Sequence, residues 1–242
     1  MTADQIKRMT ERVARVRMEM ERACRAAGRA QGDVLLCAAS KTQDAETVRA
    51  AAALDIDLFG ENRVQELCEK YAAGAYDAKP LHFIGHLQTN KVRQVVGCAD
   101  MIESIGSRRL LECVAAEAQK QGLRQDVLIE INIGAEASKS GIAPEELPAL
   151  LECAHAFPSV QVRGLMAIPP AAAPGASRPF FARLRTLFEQ ARAAQGGNVC
   201  MEYLSMGMSA DFGDAILEGA NLVRVGTALF GVRNSAAQPS GQ

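Results

Sequence analysis

The chain has 242 residues, enough for one large α/β domain, and its 27 basic and 28 acidic residues nearly cancel. A balanced charge offers no overall field for nucleic acid or an anionic membrane, and no apolar run reaches membrane-spanning length. Seven cysteines, odd in number, scattered and without a CxxC pair, suit a reduced, cytoplasmic protein that uses thiols as small apolar residues.

Residues 3–29 carry Ile6, Met9, Val13, Val16 and Met20 at helical spacing, with Gly28 as a stop, and their arginines read as a solvated face. The chain then alternates. Short apolar runs predict strands near 34–40, 56–60, 81–85, 100–104, 126–133, 160–167, 201–205 and 222–226. Helical periodicity predicts helices near 44–54, 62–73, 89–96, 107–121, 145–155, 177–194 and 211–218, with a last one from Thr227. Eight strand–helix pairs in this length are the count of a single (β/α)8 TIM barrel with an extra N-terminal helix. A doubly wound open sheet would usually carry a Gly-rich turn after its first strand, and Ser40-Lys-Thr-Gln-Asp44 stands there instead. The barrel is expected over 1–233, with a long mobile βα loop at 169–179 and a disordered tail at 234–242.

The first strand ends in Lys41 after a run that reads as buried on both faces. An ammonium placed there reaches water, finds a partner or gives up its proton, and desolvation favours the neutral amine that attacks carbonyls. In a barrel the chemistry lies at the C-terminal strand ends. There the sequence places Lys41, Glu61-Asn62, His86, Asn132, Met166, Ser205-Met206-Gly207 and Arg224-Val-Gly226-Thr227. The loops after strands seven and eight are the usual phosphate cradle of such barrels, and Ser205, Gly207, Gly226 and Thr227 have the small, donor-rich chemistry an anion needs. A phosphate-bearing aldehyde is the natural guest. His82 and His86 straddle Gly85 without further ligands, so no metal site is expected.

The strings SKT, FGENRVQE (Phe59–Glu66), HFIGHLQTNK (His82–Lys91), SKSGI (Ser138–Ile142), GLMAIP (Gly164–Pro169), LSMGMS (Leu204–Ser209) and VRVGTALFG (Val223–Gly231) make the chain similar to the pyridoxal phosphate homeostasis protein family. That family resembles the N-terminal barrel of alanine racemase. The resemblance implies that Lys41 carries pyridoxal 5'-phosphate covalently as an internal aldimine, with Asn62 beside the ring. It implies a phosphate held by Ser205, Gly226 and Thr227, with Met206 and Gly207 on the same turn, and Arg224 facing the pyridine nitrogen. It also implies a monomeric protein that carries or buffers the cofactor, regulates vitamin B6 and amino-acid homeostasis, and has apoenzymes as recipients. Catalytic turnover is not expected, since an arginine leaves the ring nitrogen unprotonated and the ring a poor electron sink. The alternatives are a low-efficiency amino-acid racemase and an aldolase-type barrel that needs no cofactor.

Overall fold

The structure, a computed structural model, describes residues 1–136, 139–170, 173 and 175–231. The expected tail at 234–242 and residues 171, 172 and 174 of the expected mobile loop lie outside the described residues. Eight parallel strands close on themselves in chain order, β1 (Leu35–Ala39), β2 (Leu58–Glu61), β3 (Leu81–Phe83), β4 (Met101–Ile105), β5 (Gln125–Glu130), β6 (Val160–Met166), β7 (Val199–Ser205) and β8 (Leu222–Val225). Helices α1 (Ala3–Ala26), α2 (Ala45–Ala52), α3 (Val64–Ala72), α4 (Arg108–Gln121), α5 (Leu147–Ala154), α6 (Arg178–Ala193), α7 (Phe212–Leu217) and α8 (Thr227–Phe230) accompany them. This is the expected (β/α)8 barrel.

Strand parity sorts the core. Leu36, Ala38, Phe59, Phe83, Ile102, Val127, Val162 and Val223 belong to the large core under the helices. Their neighbours point the other way and fill the barrel, where Cys37, Leu58 and Leu222 form one cluster and Met101, Leu128 and Met166 another. Toward the C-terminal end this interior turns polar, with His82, Glu103, Ser205 and Arg224 all buried. β1 is thus buried on both faces, as its unbroken apolar run requires.

Two elements differ from expectation. The helix expected at 89–96 is a 3-10 turn at Thr89–Gln94, stopped three residues on by Gly97 at φ +80°. β5 ends at Glu130 and not at residue 133. The chain folds back there, so that Ile142 N–H donates to Glu130 O (2.9 Å) and Asn132 N–H to Ile142 O (2.9 Å).

α1 starts in a capping box between Thr2 and Gln5. It buries Met9, Val13, Val16, Met20 and Cys24, while Ile6, expected on that stripe, stays 38% exposed. Its arginines are more than a solvated face. Arg12 donates to Phe230 O (3.0 Å) and Arg17 pairs with Asp57 (2.9 Å), while Arg29, just past the helix, donates to Ala220 O (2.6 Å). Asp57 in turn accepts from Leu36 N–H (2.6 Å), so α1 is tied to the entries of β1 and β2 and to α8.

Candidate functional site

The C-terminal strand ends that carry the residues singled out all open on one face, because the eight strands are parallel and closed. Lys41 follows β1 and is exposed, which corrects the expectation of a buried amine at that strand end. Its neighbours are tightly held. Thr42 sits in the left-handed region at φ +66°, an uncommon conformation for a β-branched residue and one that costs of order 1–3 kcal/mol. Its N–H donates to Glu66 Oε2 (2.7 Å).

After β2, Asn62 keeps a buried Oδ1 without a hydrogen-bond partner. A side chain added at Gly85, after β3, would lie 2.1 Å from Asn62 O, so only glycine lets these two turns meet. Gly226, after β8, lies beside β1: a Cβ there would be 3.3 Å from Ala39 O, two residues before Lys41. The Gly226 and Ala228 N–H groups both donate to Ser209 Oγ, at 3.2 and 3.3 Å. Thr227 is exposed at the start of α8.

The other expected site residues sit lower. Ser205 is fully buried on β7, and its hydroxyl donates to Glu103 Oε2 (2.6 Å) while accepting from Arg224 Nη1. Arg224 also donates to Ala167 O (3.0 Å) and lies 3.8 Å from Glu103. His82 Nδ1 meets the other Glu103 oxygen at 2.7 Å. Burial raises the Glu103 carboxyl, but His82, Arg224 and Ser205 together bring it below its ordinary value, so it stays ionised. Ser205, the last residue of β7, thus joins an interior charge network, and the hydroxyl that receives the Gly226 and Ala228 N–H groups belongs to Ser209. Ser209, which closes the quoted LSMGMS string, is not among the residues the sequence singled out. The Met206 side chain packs in the helix-facing core. Gly207, at φ +91°, lets α7 approach, since a Cβ there would lie 2.5 Å from Ala215 Cβ.

Two more carboxylates belong to this face. Glu61 is fully buried and pairs with Lys70 Nζ (2.6 Å), and its Oε1 accepts from Asn62 N–H (2.8 Å). Lys70, on α3, was not anticipated; its i,i+4 spacing from Glu66 was the only signal. Glu130, at the end of β5, accepts from Ser140 Oγ (2.8 Å), and its Oε2 is buried without a partner.

Burial raises the Glu130 carboxyl above its ordinary value, with Ser140, Arg224 and His86 opposing only in part. A carboxyl raised in the fold contributes stability below the unfolded value, near 4, that is lost as pH climbs through the folded one. Glu130→Gln should therefore stabilise the protein by about 1 kcal/mol at pH 7 and by much less at pH 4. Thermal melts of both proteins at the two pH values measure this, and an equal shift at both would show that the carboxyl is not the cause.

Among the described residues no group of three or more His, Cys, Asp or Glu side chains is placed to hold a metal, and no helix is long and apolar enough to cross a membrane. Tyr203, the tyrosine nearest a strand end in sequence, has its ring 5.6 Å from the Arg163 guanidinium carbon and packs beside the interior Met101–Leu128–Met166 cluster.

Residues 14–234 match the family model described as alanine racemase, N-terminal domain. A pyridoxal phosphate homeostasis protein of Aquifex aeolicus is 43% identical over 224 residues, 92% of this chain and 97% of that protein. Another from Pseudomonas aeruginosa is 42% identical, over 96% of this chain and 99% of its own. Among solved structures, PipY of Synechococcus elongatus with PLP bound superposes with a TM-score of 0.79 at 33% identity, covering 92% of this chain and all of that one. An alanine racemase of Clostridium difficile shares the fold at 14% identity, with a TM-score of 0.72 over 97% of this chain and 57% of its own.

Proposed function

The chain belongs to the pyridoxal phosphate homeostasis protein family, within the alanine racemase N-terminal domain family, and on that premise we propose that it binds pyridoxal 5'-phosphate at the C-terminal face of its barrel and carries or buffers it. A bound cofactor would supply an aldehyde that a lysine amine can capture. Lys41 is the capturing amine. Gly226, Thr227 and Ser209 hold the phosphate, Asn62 offers its unpartnered oxygen beside the ring, and Arg224 stands under the site as a fixed, always-protonated donor. Ser205 acts through Arg224, whose guanidinium it orients.

The observation that carries the carrier reading is the exposure of Lys41. An attachment amine open to solvent suits reversible loading and release, and release is what a recipient apoenzyme needs. Arg224 adds to this reading, because a guanidinium next to a ring nitrogen keeps that nitrogen unprotonated and weakens the ring as an electron sink.

Titrating the purified protein with pyridoxal phosphate and recording the visible band tests the reading. Pyridoxal without its phosphate should bind far more weakly, and Ser209→Ala and Thr227→Val should each cost about 1–3 kcal/mol of cofactor affinity. Equal affinity for pyridoxal and its phosphate would remove the phosphate cradle from the account. Amino-acid racemisation at about 1 per second or faster would replace the carrier by an enzyme.

A further inference from the structure

Lys70 is the least expected charge in the molecule. It stands on α3, is 5% exposed, and spends all three ammonium protons on oxygen acceptors, Ser40 O (2.9 Å), Glu61 Oε2 (2.6 Å) and Glu66 Oε2 (3.1 Å). Burying an ammonium and a carboxylate is costly, and a well-packed apolar pair is often as stable. A purely structural role is therefore a poor reason for the charge. The acceptors it selects are more informative. Ser40 precedes Lys41, and the Glu66 oxygen that Lys70 contacts also accepts from Thr42 N–H, which follows Lys41. The turn carrying Lys41 is thus gripped on both sides, and its left-handed Thr42 needs that restraint.

The same group extends further. Tyr76 Oη lies 3.4 Å from both Ser40 Oγ and Glu61 Oε2, and Glu61 Oε1 takes the Asn62 N–H. One buried cluster therefore sets the turn after β1 and the turn after β2 together.

We propose that Lys70, through Ser40, Glu61 and Glu66, is the positioning residue for Lys41, holding the strained turn in the conformation that presents the Lys41 amine to its aldehyde. The proposal rests on the carrier reading for the identity of the aldehyde, but not for the existence of the clamp. Capture joins Lys41 Nζ to the aldehyde carbon in a C=N bond and releases the aldehyde oxygen as water together with the two amine protons. Lys70 takes no part in that exchange. Its contribution is to spare the turn from being ordered during the reaction.

The test uses the full chain and three proteins. Lys70→Met/Glu61→Gln removes both buried charges, so that neither is left unpaired. Glu66→Ala keeps the Lys70–Glu61 pair, and with it the fold, but frees Thr42. Amide hydrogen exchange at Thr42, without ligand, should accelerate at least tenfold in both variants. Capture of pyridoxal phosphate, trapped with borohydride and mapped to Lys41, should slow about tenfold. In Glu66→Ala, which leaves Glu61 and its hold on the Asn62 N–H in place, binding of pyridoxine phosphate, which has an alcohol in place of the aldehyde, should be unchanged, a split that general damage to the barrel would not give. If the double variant does not fold, Glu66→Ala decides alone. Unchanged Thr42 exchange and unchanged capture, or an equal loss of pyridoxine phosphate binding, overturn the proposal. Absence of capture by the wild type, with Thr42 exchange still accelerated in the variants, would instead overturn the carrier reading and leave the clamp standing.

Discussion

Lys41→Ala should abolish covalent capture of pyridoxal phosphate, leaving no borohydride-stable label, while the melting temperature stays within a degree or two of the parent. The contrast follows from position. Lys41 is exposed, beyond the last residue of β1, so truncating its side chain removes little buried surface. The turn itself is held by Lys70 and Glu66 and not by the Lys41 side chain. Peptide mapping of the reduced wild-type protein should find the label on Lys41 alone. A label that persists in Lys41→Ala, or that sits on Lys91 or Lys139 in the wild type, would move the attachment point and with it the whole site.

Arg224→Glu is the substitution that an argument about the ring nitrogen first suggests, and here it should remove a large part of the fold's stability. Arg224 is 4% exposed, with Ser205 and the Ala167 carbonyl as partners and Glu103 at 3.8 Å. Glutamate at 224 would set a second carboxylate against Glu103 inside the barrel and leave Glu103 with only the hydrogen bonds to His82 and Ser205. Removing one partner from a buried ionic network costs about 3–5 kcal/mol, and like-charge repulsion adds to it. A cost of that size is a large part of a typical domain's stability. Urea denaturation of the ligand-free proteins measures it. Arg224→Leu paired with Glu103→Leu should lose far less than Arg224→Glu, because no charge is left unmatched. A loss under about 1 kcal/mol for Arg224→Glu would show that the interior is wet and the network weak.

The sequence by itself determined the barrel. Unbroken apolar runs of strand length, alternating with helical periodicity, admit few closed arrangements, and the eight runs became β1 to β8 in order. It also determined which residues gather on one face, since parallel strands put all their C-terminal ends together, and it picked out Lys41, Asn62, Gly226 and Thr227 on that rim. Only the tertiary structure decided what each group touches. Ser205 and Glu103 are 102 residues apart, and no spacing rule links them; strand register inside the barrel joined them and left Ser209 at the rim. The exposure of Lys41 was likewise invisible, because a run buried on both faces says nothing of the turn that follows it. The Lys70 cluster depended on α3 lying against the end of β1, and the arginines of α1 looked like a solvated face until α8 and the loop before β2 met them. Periodicity records which side of an element is apolar. Pairing of buried polar groups is set by distances between elements, which exist only once the chain has closed on itself.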